Sequence, residues 1–177
     1  MKLDRKRATL VVIDVQEAFR PAVPAFAEIA GSVATLVRGA SELGLPVVVT
    51  EQYPKGLGKT VDEVSEHLPS NASRLDKVRF SASEADGFDL GGRDQVIVCG
   101  IEAHVCVAQT VSDLLDNGNQ VHLVADAVGS RHEGDAALAL RRAERAGATL
   151  TSVETALFEL LRGSDAPEFK AVQELVK

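Results

Sequence analysis

Two cysteines are all that the 177 residues contain, too few for the disulfide framework of a small secreted domain. The first, Cys99, lies within an apolar run of strand length, so the pair fits a reducing compartment and a cytoplasmic location. Basic clusters are missing as well. With a formal net charge of -7, the chain lacks the concentrated Lys and Arg that a phosphate backbone requires, and nucleic acid is not expected as a partner. No apolar run is long enough for a membrane span or a signal core, because Ala8 to Ile13 gives way to Asp14. The four histidines, His67, His104, His122 and His132, show no spacing typical of a metal site. No Gly-x-Gly-x-x-Gly follows a strand, and GLGKT (56–60) misses the phosphate-loop spacing because Tyr53 stands where the first glycine belongs. Neither a metal nor any other cofactor is therefore expected. Linkers, internal repeats and low-complexity tracts are absent too.

What the chain does contain is material for a core. Hydrophobic residues make up 45% of it, enough for a substantial interior in one domain over residues 1–177. Strands are expected over Ala8 to Val15, Pro46 to Thr50, Ser73 to Val78, Gln95 to Cys99, Gln120 to Ala125 and Thr149 to Val153. Helical spacing covers Ile29 to Leu43, Val61 to Leu68, His104 to Leu115, Glu133 to Ala146, Glu154 to Leu161 and Pro167 to Val176. Gly44, Asn117-Gly118 and Gly147 supply stops. Such alternation implies a three-layer α/β/α sandwich, Rossmann-like, with a mainly parallel sheet of about six strands and right-handed crossovers.

Open sheets of this kind bind ligands at the carboxyl ends of their strands. Three reactive groups stand at expected strand ends. Cys106 falls in the first turn of the helix after the Gln95 to Cys99 strand, where free N–H groups and the helix dipole favour a thiolate. Free cysteine is also a common buried filler, so its place alone leaves both roles open, and Cys99 reads as filler. Asp14 interrupts the first apolar run at its end. An unpaired buried carboxylate is expensive there, yet by itself Asp14 reads equally as a cap or a solvated turn residue. Lys77, near the end of the third strand, is by itself equally a surface residue. Together the three make a nucleophile, a base and a cation: the carboxylate takes the thiol proton, the ammonium holds the carboxylate and stabilises thiolate, and sulfur attacks a carbonyl. Backbone amides around Glu102 to Cys106 would hold the oxyanion.

These residues also carry a resemblance. Asp14 to Phe19 (DVQEAF) resembles the D-x-Q-x-x-F signature of the isochorismatase-like cysteine hydrolases, Lys77 to Ala82 (KVRFSA) their K-x-x-F-S-A, and Gly100 to Val107 (GIEAHVCV) their nucleophile turn. Order and spacing agree over nearly the whole chain. The resemblance implies Asp14, Lys77 and Cys106 as the catalytic triad, a cis peptide between Ile101 and Glu102, and an oxyanion hole made by the amides of Glu102 and Cys106. It also implies a homo-oligomer, dimer or larger. Gln16, Phe19, Tyr53 and Phe80 are candidates to line the substrate pocket, although Phe19 and Phe80 fit a core role equally.

Two departures refine the expectation. Nicotinamidase and pyrazinamidase relatives carry a D-x-H metal motif after the second strand, where this chain reads Thr50-Glu51-Gln52-Tyr53. Isochorismatases proper cleave a vinyl ether, which needs an acid rather than a thiol, and some of them lack the cysteine. Cys106 thus favours acyl chemistry: hydrolysis of a small-molecule amide (C–N) or ester bond through a thioester. The alternatives are a vinyl ether hydrolase of the isochorismatase type, a non-catalytic binding or redox protein with a reactive Cys106, and a phospho-acceptor module, which would need clustered acidic residues to hold Mg2+.

Overall fold

The computed structural model describes residues 2–177. β1 (Ala8–Ile13) is buried along its whole length. Leu10 and Val12 face one apolar layer, Val11 and Ile13 the other. Burial on both faces is what a strand inside a parallel sheet requires, and it explains a continuous apolar run rather than an alternating one. The chain continues through α1 (Phe26–Glu42), β2 (Val47–Gln52), the short α2 (Pro54–Leu57) and α3 (Asp62–Ser65), and β3 (Ser73–Lys77). β4 (Gln95–Ile101), α4 (Ala108–Asp116), β5 (Gln120–Gly129), α5 (Glu133–Ala146), β6 (Thr149–Thr151), α6 (Val153–Leu161) and α7 (Phe169–Leu175) follow.

All six strands are parallel, in the order β3-β2-β1-β4-β5-β6. Side chains of α1, α6 and α7 pack on one face of the sheet and those of α4 and α5 on the other, which gives the three-layer, Rossmann-like α/β/α architecture. From β1 the chain moves outward through β2 to β3, then returns to lay β4 on the other side of β1 and continues to β6. The boundary between β1 and β4 is thus the switch point of the sheet, where a crevice opens beyond the carboxyl ends of the strands. β4 comes very close to β1 there. Gly100 has φ +122°, and a Cβ on it would stand 2.0 Å from the Ile13 carbonyl oxygen, so only glycine allows the approach.

Several expected boundaries move, each for a local reason. β1 stops at Ile13 because Asp14 turns into the left-handed region, φ 51°. β2 runs on to Gln52, since β3 pairs with it as far as Gln52 opposite Lys77. β4 extends to Ile101, and β5 reaches Gly129 by pairing with β4 across a register shift between Val98 and Gly100. α5 occupies the expected Glu133 to Ala146, closed by Gly147 in the left-handed conformation. Among the described residues no helix is long and apolar enough to cross a membrane.

Candidate active site

Asp14, Lys77 and Cys106 meet at the switch point. Asp14 sits in a sharp turn immediately off β1, a conformation that Asp tolerates better than most residues. Its backbone N–H still bonds to the Thr50 carbonyl at 3.1 Å, so the turn stays pinned to β2. The carboxylate is fully buried and held at both oxygens: Thr50 Oγ1 donates to Oδ1 at 2.8 Å, and Lys77 Nζ donates to Oδ2 at 2.7 Å. Lys77 reaches it from β3, two strands away, across a gap of about 9–10 Å at ordinary strand spacing. Its aliphatic stem spans the end of β2 while its ammonium collects further acceptors, Gln52 Oε1 at 2.7 Å, the Phe80 carbonyl at 2.8 Å and the Arg79 carbonyl at 3.3 Å.

Cys106 lies in a wide turn, residues 103–107, between β4 and α4 rather than in the first turn of a regular α-helix. The Glu102 carbonyl accepts from the amides of both Val105 and Val107, at 3.1 and 3.2 Å, which holds the turn open by an extra residue. The peptide bond between Ile101 and Glu102 is cis. Thr110 Oγ1 donates to the Cys106 carbonyl at 2.7 Å and accepts from the Ala82 amide at 2.8 Å, so the segment after Lys77 is tied to the nucleophile turn. The Glu102 carboxylate folds back onto Arg131, accepting from its backbone N at 3.0 Å and from Nε at 2.9 Å.

The electrostatics of the thiol differ from the sequence-based expectation. Burial, with the Asp14 carboxylate as second cause, pushes the Cys106 thiol up to about 12, and Lys77 offsets only part of this. Both causes favour the thiol over the thiolate. A helix start favours thiolate only where the sulfur stays hydrated, and Cys106 is 5% exposed. Cys99 points into the opposite apolar layer, where burial also drives its thiol upward.

The four proposed pocket residues separate into two groups. Gln16 is fully buried, with both amide N–H donated, to the Gln52 carbonyl at 3.0 Å and the Gly58 carbonyl at 2.6 Å, while its Oε1 accepts from the Gln52 amide at 2.7 Å. Those bonds make it a clip between β2 and the following loop instead of a pocket wall. Phe19 packs against the core. Tyr53 and Phe80 are exposed, 56% and 50%. Tyr53 helps to line a cleft of 560 Å³ together with Pro54, Lys77, Val78 and Arg79. Thr50 and Gln52 are site residues that the sequence reading passed over. Their signal was available, as two polar side chains on one face at the end of an otherwise apolar strand.

A metal does not suit this place. At the end of β2, Glu51 Oε1 accepts from the Thr60 amide at 2.7 Å and from Thr60 Oγ1 at 2.8 Å, and Gln52 Oε1 serves Lys77. Among the described residues no three His, Cys, Asp or Glu side chains gather as metal ligands.

The chain is similar to known proteins over nearly its whole length. Isochorismatase domain-containing protein 2 of Danio rerio is 38% identical over 176 residues, covering 99% of this chain and 89% of its own length. A structure of MAR1 ribonuclease from Caenorhabditis elegans superposes with a TM-score of 0.94 at 43% identity, covering 99% of this chain and 92% of that one. YcaC from Pseudomonas aeruginosa, solved with hexane-2,5-diol and covalent acrylamide, superposes with a TM-score of 0.86 at 27% identity over 98% of this chain and 91% of its own. With the Isochorismatase domain matching residues 8–155, the chain belongs to the isochorismatase-like hydrolase family.

Proposed function

We propose that this chain hydrolyses an amide (C–N) or ester bond of a small molecule through a thioester on Cys106. The observation that carries the reading is the enclosed Asp14–Lys77 pair beside a cysteine at the switch point of the sheet, with side chains 0% and 1% exposed. A buried ion pair is weak evidence of stabilisation, and one placed against a thiol in a ligand crevice is better explained by chemistry. The covalent acrylamide on YcaC, a neighbour of the same fold, supports a reactive site of this type.

Cys106 starts protonated, so proton removal and attack are coupled. Asp14 takes the Sγ proton as sulfur bonds to the carbonyl carbon, and the carbonyl π pair moves onto oxygen. The backbone amides of Glu102 and Cys106 receive that oxyanion. Lys77 stabilises the anionic charge that passes from carboxylate to sulfur. When the tetrahedral adduct collapses, the C–N or C–O bond breaks and the leaving group departs with the proton from Asp14. Asp14 then deprotonates a water, which attacks the thioester, and the C–S bond breaks to release the acid while Asp14 passes that proton to sulfur and restores the thiol.

The test is a panel of primary amides, anilides and p-nitrophenyl esters, with intact mass followed during turnover. Hydrolysis together with an acyl adduct that maps to Cys106 is the expected result. An RNA oligonucleotide, included because of the name of the C. elegans structure, is expected to remain intact, in keeping with the net charge of -7. Turnover that persists in Cys106→Ala overturns the proposal.

A further inference from the structure

A lysine ammonium has three N–H donors. Lys77 Nζ lies 2.7 Å from Asp14 Oδ2, 2.7 Å from Gln52 Oε1 and 2.8 Å from the Phe80 carbonyl, three short contacts that compete for those donors. Lys77 also acts on the Cys106 thiol, through its charge and through side-chain hydrogen bonding. Of the three acceptors, Asp14 is the base and Phe80 supplies only backbone. Gln52 is the remaining side chain, and it is fixed from two directions. Its Nε2 donates to the Val78 carbonyl at 2.9 Å, which turns Oε1 toward Lys77. Its main chain is clipped on both sides by the Gln16 amide, itself anchored to the Gly58 carbonyl.

We propose that Gln52 is a positioning residue for the reaction: by occupying one N–H of Lys77 it sets how tightly the ammonium grips Asp14. The inference rests on the reading of Asp14, Lys77 and Cys106 as the triad. The charged or titratable groups facing the Asp14 carboxylate are Lys77 from β3 and Cys106 from the turn after β4, while β2 contributes only the Thr50 hydroxyl. Without the Gln52 acceptor, the buried ammonium turns its freed N–H toward the anion it already touches, and Asp14 becomes a weaker base. A carboxylate at the same place has the opposite effect, because it shares the ammonium between two anions.

The test compares Gln52→Leu and Gln52→Glu in the full chain, with p-nitrophenyl acetate as the probe ester. Gln52→Leu is expected to lose roughly 10-fold or more in kcat with KM nearly unchanged, the size set by losing one hydrogen bond to a buried charge, whereas Gln52→Glu keeps an acceptor for Lys77 and is read by its pH profile. The acidic limb of the kcat profile should move to lower pH in Gln52→Leu and to higher pH in Gln52→Glu. A purely structural role lowers activity without moving the limb in opposite directions. Thermal unfolding checks each fold, and if Gln52→Leu does not fold, the limb shift in the near-isosteric Gln52→Glu decides alone. An unmoved limb in a folded variant, or a loss confined to KM, refutes the role of Gln52. Cys106→Ser, assayed in parallel, separates the two levels: full activity in that variant sinks the triad reading, whereas its inactivity beside unaltered Gln52 variants sinks only the present inference.

Discussion

Lys77 Nζ and Asp14 Oδ2 lie 2.7 Å apart with both side chains shut off from solvent, although their strands are separated by β2. The contact therefore ties three adjacent strand ends together, with Thr50 and Gln52 of β2 bonded to its two members. It also places an anion that can accept a proton and a cation that can steady the product of that transfer on one thiol.

Removing either charge should have unequal effects on folding and on rate. Asp14→Asn keeps the shape and an oxygen for Lys77, but it cannot take a proton, so kcat should fall by roughly 100- to 10,000-fold. Lys77→Met leaves the Asp14 carboxylate buried and unpaired, which should cost about 3–5 kcal/mol of stability in addition to activity. Steady-state kinetics with thermal melts check both variants. Near-parental turnover in Asp14→Asn would remove Asp14 from the mechanism.

The raised Cys106 thiol has a direct consequence for labelling. Alkylation follows the thiolate, and with the thiol pushed up to about 12 its rate should climb roughly tenfold per pH unit from neutrality to pH 10 without a plateau. Cys99 should stay unlabelled in the folded chain, being fully buried. Intact mass and peptide mapping after timed iodoacetamide exposure measure this. A plateau near pH 7 would mean a preformed thiolate.

The same thiol marks where reading a sequence reaches its limit. The apolar runs placed β1, β2, β4 and β5, because burial on both faces of a parallel sheet leaves a continuous signature, whereas the edge strands β3 (SRLDK) and β6 (TLT) carry no such run. Polar strand ends were harder. Glu51 and Gln52 read as loop, although pairing with β3 keeps them extended. Gln16 was assigned to the pocket because it belongs to a motif, and only its three hydrogen bonds reveal a clip. Cys106 was expected in the first turn of a regular helix and lies instead in the wide turn before α4, and the balance between dipole and desolvation depends on how deeply the sulfur is buried. Periodicity does not carry that quantity.

His122 should give the fold a pH dependence of its own. It lies in β5 at 2% exposure, its Nδ1 has no hydrogen-bond partner among the described residues, and burial holds its imidazole below the usual range. The unfolded chain therefore binds a proton more readily than the folded one in the window between the lowered value and about 6.5. Stability contributed by neutral His122 is present in full above that window and is lost as pH falls through it. Melting temperature should drop on going from pH 7.5 to 5.5, and His122→Leu should flatten that slope. An equal slope in the variant would assign the effect to other groups.

Metal dependence is the last expectation, and it follows from how the end of β2 is used. A zinc or iron site needs several His, Cys or carboxylate ligands converging at about 2.0–2.3 Å. Here Glu51 holds the Thr60 backbone and hydroxyl, and Gln52 holds Lys77, so the first is engaged elsewhere and the second is a neutral amide. Recruiting Glu51 to an ion would release Thr60, which is 5% exposed, and leave its amide without a partner in a buried place, at a cost of about 1–3 kcal/mol. Hydrolysis should therefore survive dialysis against EDTA unchanged, and added zinc, iron or manganese should not raise it. Ring amides such as nicotinamide and pyrazinamide, which metal-bearing relatives would hold through a ring nitrogen, should be poor substrates. Elemental analysis before and after dialysis, with the assay run on both samples, checks this: a stoichiometric transition metal whose removal abolishes turnover would show that the β2 end rearranges around an ion.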